Sequence, residues 1–193
     1  MEDLSNKFNR LYKVISSKRF LSKESLGGEI PFFISAYNAE QELDVKESIK
    51  MLKNKLDTSG VTVLEVNLYD MVCELLEEKG GMERMFQVEK RKGKDKFLKA
   101  LQSTLNIHEV LMPHISEKIN LSNAQVYFLT GIGLVFPYIR SHNVLNNLQN
   151  IAKEAPTVCF FPGDYNGHSL NLFGKLKDDN YYRAFNIEQI EPK

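Results

Sequence analysis

Apolar positions along the chain recur with two alternating periods, one helical and one extended. Leu4, Phe8, Leu11 and Ile15 share one helical face, and Lys7, Arg10 and Lys13 take the other, so an amphipathic helix is expected from residue 3 to about 16. A polar or short helical link, Lys18 to Lys23, leads to Gly27-Gly28, which closes an N-terminal helical region over residues 1–28. Ile30 to Ala36 is a continuous apolar run of the kind that fills a buried strand, with Pro31 tolerable near its start. Val45, Ile49, Leu52 and Leu56 then line a helix that stops at Ser59-Gly60. Val61 to Leu68 predicts a second, mostly buried strand, and Asp70 to Lys79 a helix with Glu74, Glu77 and Glu78 on its wet side.

Gly80-Gly81 breaks that helix, and helical spacing resumes to about Asn106, interrupted near Gly93, with Phe97, Leu101 and Leu105 on one face. Ile107 to Ile119 continues with a stripe of Val110, Leu111, Ile115 and Ile119. Ala124 to Thr130 is the third strand, ended by Gly131-Ile132-Gly133. A helical stretch follows, with Pro137 near its start or at a kink, and Val144, Leu145, Leu148 and Ile151 on its inner face. Thr157 to Phe161 is the fourth strand, which Pro162-Gly163-Asp164 is expected to stop. Strands alternating with helices predict a single α/β domain over residues 1–193, a mostly parallel central sheet flanked by helices, with residues 80–120 as a helical insertion between strands.

Composition narrows the function classes. The chain has 193 residues, with 25 basic and 25 acidic side chains, so its formal net charge is zero. There is thus no overall electrostatic drive toward nucleic acid or an anionic membrane, and no self-repulsion to oppose association. The two cysteines, Cys73 and Cys159, sit in apolar stretches and read as reduced, buried thiols. No apolar run approaches the length of a membrane span, and the N-terminus is charged, so a cytoplasmic protein is expected.

Candidate chemistry gathers after the strands. Following the first strand, where a nucleotide-binding protein keeps its glycines, stands Tyr37-Asn38-Ala39-Glu40-Gln41-Glu42, acidic and glycine-free. Asn38 and Gln41 there form a helix cap and its partner, and the acidic first turn would repel a phosphate. Gly131-x-Gly133 is either a tight strand-to-helix turn or a backbone anion nest assisted by Arg140. Asp164, His168 and Asp178 or Asp179 either cap turns and helices or assemble a metal or acid/base site at the carboxyl edge of the sheet. His108 and His114 lack metal-pair spacing, no Gly-x-Ser-x-Gly elbow is present, and neither cysteine stands at a helix start beside a histidine. No catalytic residue, metal or cofactor is assigned. Lys90, Arg91, Lys92, Lys94 and Lys96 form the most basic stretch, either a solvated helix face, a docking surface, or a weak nucleic-acid contact diluted by Glu89 and Asp95. Tyr181, Tyr182 and Arg183 are either interface anchors or an edge strand whose rings pack on the sheet.

The segments FLTGIGLVFPYIRSHNVLNNLQ (residues 128–149) and FFPGDYNGHSLNLFGKLKDDNYYRAF (residues 160–185) resemble the BrxB family of bacterial BREX phage-defence systems. FNRLYKVISSKRFLS near the start and VLEVNLYDMVCELLEE in the middle extend the resemblance over nearly the whole chain. The resemblance implies a small, non-enzymatic component, similar in layout to a P-loop NTPase core without the phosphate-binding loop. It also implies association with PglZ, the alkaline-phosphatase-like component of these systems, so a scaffold or adaptor is the first expectation. The alternative is a degenerate nucleotide-binding or nucleic-acid-sensing subunit using Arg140, Asp164, His168 and Arg183 at the carboxyl edge, and a third is direct DNA contact through the basic run.

Overall fold

A computed structural model describes residues 3–23, 30–178 and 182–191. Gly27, Gly28, Asp179 and Tyr181 lie outside the described residues. The chain opens with α1 (Leu4–Ile15), capped by Asp3, whose carboxylate accepts from the Ser5 amide at 3.1 Å. The short α2 (Lys18–Leu21) follows, capped by Ser17. β1 (Phe32–Tyr37) then leads through a single 3-10 turn, capped by Asn38, into α3 (Glu42–Thr58).

β2 (Val63–Asn67) runs directly into α4 (Leu68–Glu78), because the Asn67 side chain accepts from the Tyr69 and Asp70 amides at the helix start. Between β2 and β3 (Val126–Thr130) lie α5 (Met82–Arg91), α6 (Lys94–Thr104) and α7 (Met112–Leu121), the last entered through a π-helical turn, Ile107–Leu111. Beyond β3, a 3-10 turn at Gly133–Val135 precedes α8 (Ser141–Ile151), so Pro137 stands in the connection and not inside a helix. Last come β4 (Thr157–Tyr165), β5 (Leu170–Leu172), β6 (Leu176–Asp178) and β7 (Phe185–Asn186).

The strands run β2-β3-β4-β1-β7, every neighbouring pair parallel. α1 and α3 cover one face, where Leu11, Val14, Ile15, Leu52 and Leu56 meet Phe33, Phe128, Val158 and Phe160. α4, α7 and α8 cover the other, where Leu68, Leu75, Ile115, Leu145 and Leu148 meet Phe32, Ile34, Leu129 and Phe161. Each such side chain removed from water contributes about 1.5 to 3 kcal/mol, so the two aliphatic layers supply the main driving force. β2 corrects one expectation. Of its residues only Val66 is buried, because β2 is the sheet's edge and its local apolar run does not reveal that position.

β4 corrects another. Pro162-Gly163-Asp164 does not stop the strand. β4 pairs with β1 as far as Pro162, then leaves the parallel sheet and pairs antiparallel with β5 through Gly163, Asp164 and Tyr165. β1 has ended by then, and the Pro162 carbonyl is taken by the Phe173 amide at 2.8 Å. β5 pairs antiparallel with β6 in turn, and this β5–β6 hairpin turns through Phe173 (φ +59°) and Gly174 (φ +66°), both left-handed. Phe173 is an uncommon residue for that region. Its ring packs in the space left by Gly133, where an added β-carbon would stand 2.9 Å from it.

Candidate functional site

Three concavities lie along the carboxyl ends of the strands, where α/β sheets build their sites. The innermost lies between β1, β2, β3 and the start of α3, and holds about 30 Å³, room for a water or two. Its walls hydrogen-bond to one another. The Thr130 hydroxyl donates to Glu65 at 2.9 Å, Lys53 reaches the other oxygen of Glu65 at 2.6 Å, and the Tyr37 hydroxyl donates to Glu42 at 2.6 Å. Burial, reinforced by the Glu42 carboxylate, pushes the Tyr37 phenol well above its ordinary pKa, so it stays a hydrogen-bond donor. This polar knot went unread in the sequence. Its only signal was Glu65, a charge inside an otherwise apolar strand.

The second is an open groove of about 510 Å³ on the other side of β1, lined by Tyr37, Asn38, Asp164, Gly174, Asn186 and Glu188. Asp164 is exposed there and its carboxylate accepts from the Asn171 side-chain Nδ2 at 3.4 Å. Glu188 is tied to Lys7 of α1, whose ammonium also donates to the Ala36 carbonyl. Tyr165 donates to the Ala184 carbonyl at 2.7 Å, which straps the C-terminal segment across the end of β4.

The third is a cleft of about 440 Å³ between the β5–β6 hairpin and the start of α8. Phe136, Leu172 and Leu176 form its apolar wall, and Arg140, Lys175 and Lys177 its charged one, with Ser141 and His142 beside them. Phe136 is held edge-on to Phe173 with ring centres 6.2 Å apart. Among the described residues that line this cleft there is no carboxylate.

The residues singled out in the sequence are therefore dispersed. Arg140 and Asp164 line different concavities. His168 is exposed on the β4–β5 turn, where its amide donates to Asn166 and its carbonyl accepts from the Tyr182 amide. Arg183 is exposed, and its carbonyl accepts from Gln149 at 3.0 Å. Tyr182 is no surface anchor. It is 1% exposed and packs in the core with Leu170 and Leu172, because its backbone is pinned to the hairpin turn and its ring points inward. Lys90 and Arg91 end α5, Lys94 and Lys96 begin α6, and these four with Lys92 form an exposed corner away from the three concavities.

Burial pushes the Cys159 thiol up, which keeps it protonated and unreactive. Among the described residues no group of three or more His, Cys, Asp or Glu could hold a metal ion, and no helix is long and apolar enough to cross a membrane.

Comparison with known proteins places the chain in a family. Residues 64–187 match the family BrxB, described as BREX protein BrxB. A BREX protein BrxB from Bacillus cereus (strain H3081.97) is 37% identical over 97% of this chain and 98% of its own length. Another, from Escherichia coli O9:H4 (strain HS), is 31% identical over 95% of this chain and 91% of its own. No solved structure matches. The family match runs from the middle of β2 to the turn after β7, and both relatives align over nearly the full chain: this protein belongs to the BrxB family of BREX proteins.

Proposed function

We propose that this chain is a non-enzymatic component of a BREX phage-defence complex, a scaffold or adaptor whose partner is PglZ. The observation that carries the non-enzymatic part is the filled crevice at the carboxyl edge. Where a sheet of this order would hold a small substrate, Tyr37, Glu42, Glu65, Thr130 and Lys53 satisfy one another and leave about 30 Å³. The turn after β1 adds to this reading. It is closed by the Asn38 cap and places Glu40, Glu42 and Asp44 where a phosphate would need donors and positive charge. A parallel core with that turn supports the layout of a nucleotide-binding fold that has no phosphate-binding loop. Full-length similarity to two BREX proteins supports the assignment to defence, and the zero net charge favours a protein partner over nucleic acid.

The test is size-exclusion chromatography with light scattering, on this chain alone, on PglZ from the same system, and on their mixture. A single peak of summed mass at micromolar concentration is the expected result. Two unshifted peaks would sink the PglZ assignment. A thermal-shift screen with ATP and GTP addresses the nucleotide alternative, since a ligand bound only by the folded state raises Tm. No shift is expected.

A further inference from the structure

We infer that the cleft between the β5–β6 hairpin and α8 is the docking site for an acidic segment of a partner protein that carries an apolar anchor side chain. This deepens the adaptor reading and rests on it. Three features lead to that occupant. Arg140 and Lys175, both exposed, line one concavity, in a chain whose formal charges sum to zero. Charge segregated in that way is complementary to acidic side chains. The same cleft has an apolar wall left partly open to solvent, with Phe136 37% and Leu176 42% exposed. An exposed aromatic ring beside an arginine is the composition of an interface anchor point. The wall is also preformed, because Phe136 rests on Phe173, which the hairpin turn and Gly133 hold in place.

Size and shape select among occupants. A cleft of about 440 Å³ takes one or two side chains and excludes a convex DNA duplex. Phosphates alone would leave the Phe136, Leu172 and Leu176 wall uncovered. The chain itself offers one segment of the required chemistry, Leu43, 81% exposed between Glu42 and Asp44 on α3. A contact between such unlike faces of two copies is heterologous, closing into a ring or running on as an open filament, so a second copy is the competing occupant that self-association would reveal.

The experiment measures affinity for PglZ from the same system by biolayer interferometry, with wild type, Arg140→Glu/Lys175→Glu, Phe136→Ala, and an Arg91→Glu/Lys94→Glu control on the distant basic corner. All five substituted residues are exposed, and thermal melts confirm folding. Expected are losses of about thirtyfold or more in the first two variants, a wild-type affinity that weakens as salt rises, and an unchanged control. Wild-type binding that both cleft variants retain would overturn the docking site and leave the adaptor standing. No wild-type binding would overturn the adaptor, and the cleft assignment with it. Two further arms count against an acidic peptide: binding of a 30-base-pair duplex that the double charge reversal abolishes (about three turns of B-DNA), or self-association of wild type that the same variant abolishes.

Discussion

A β-carbon built on Gly163 would stand 2.1 Å from the Asn171 carbonyl oxygen, and the backbone there has φ +149°. Both facts have one cause. β4 turns out of the parallel sheet at this residue, and β5 comes back so close that only a hydrogen atom fits between the strands. Gly163→Ala is therefore expected to cost about 2 to 3 kcal/mol, from overpacking combined with backbone strain. Gly167, on the turn of the same hairpin, has φ +91° but nothing within 4 Å of an added carbon. Gly167→Ala carries only the conformational term, about 1 kcal/mol. Urea unfolding of the two variants separates the effects. Equal losses would mean that close approach of β5 contributes nothing.

At the scale of elements, Glu74 joins α4 to α7 by accepting from Lys118 at 2.6 Å and facing His114 Nε2 at 3.1 Å. The hydrogen bond from Lys118, followed by that from His114, holds the Glu74 carboxyl below its ordinary pKa. A carboxyl whose folded pKa is depressed stabilises the fold above its unfolded value, about 4.3, and loses that contribution as pH falls through the lower folded value. The site is largely exposed, so solvent screening limits the gain to a few tenths of a kcal/mol. Glu74→Gln should thus lower Tm slightly at pH 7, and the gap to wild type should close as pH drops below about 4. A gap that is constant across pH would assign the loss to packing. The elements themselves were the legible part of this sequence. Stripes such as Val45, Ile49, Leu52 and Leu56 are all buried in α3, since a helix face is written within one segment. What connects segments was not legible. Pro162-Gly163-Asp164 has the local chemistry of a stop, and only the neighbouring β5 makes it a strand. Arg140 and Asp164 each lie near a strand end, but the strand order sends them to different concavities. Tyr182, flanked by polar residues, reads as surface until the hairpin that buries it is in place.

The two ends of the described chain meet at the carboxyl end of β1, next to the sheet's edge strand β7, and this contact joins N- and C-terminal elements across the whole molecule. Lys7 of α1 is 7% exposed, donates to the Ala36 carbonyl at the end of β1, and pairs with Glu188 in the 3-10 turn Ile187–Gln189 that follows β7. Around this pair Phe8 of α1 stacks beside Phe160 of β4 with centres 6.1 Å apart, and Phe33 of β1 meets Phe185 of β7 at 5.9 Å, so ring contacts flank the charged one on both sides. A buried ion pair adds little net stability against an apolar replacement, but loss of one partner strands the other. Lys7→Met removes the donor to both Ala36 and Glu188, and should destabilise by about 2 to 3 kcal/mol. Glu188 keeps 27% of its side chain exposed, but the oxygen that faces Lys7 is buried, so without the ammonium that oxygen is left desolvated and unsatisfied. Glu188→Leu leaves an ammonium in apolar surroundings, with only the Ala36 carbonyl to satisfy it, and should cost as much or more. In the double variant the stranded charges are gone, and stability should recover to within about 1 kcal/mol of wild type. A double-mutant cycle by urea unfolding reads this as a coupling of more than about 1 kcal/mol. If the two losses simply add, Lys7 and Glu188 act independently, and the ends of the chain are held by apolar packing, ring contacts and the β1–β7 ladder.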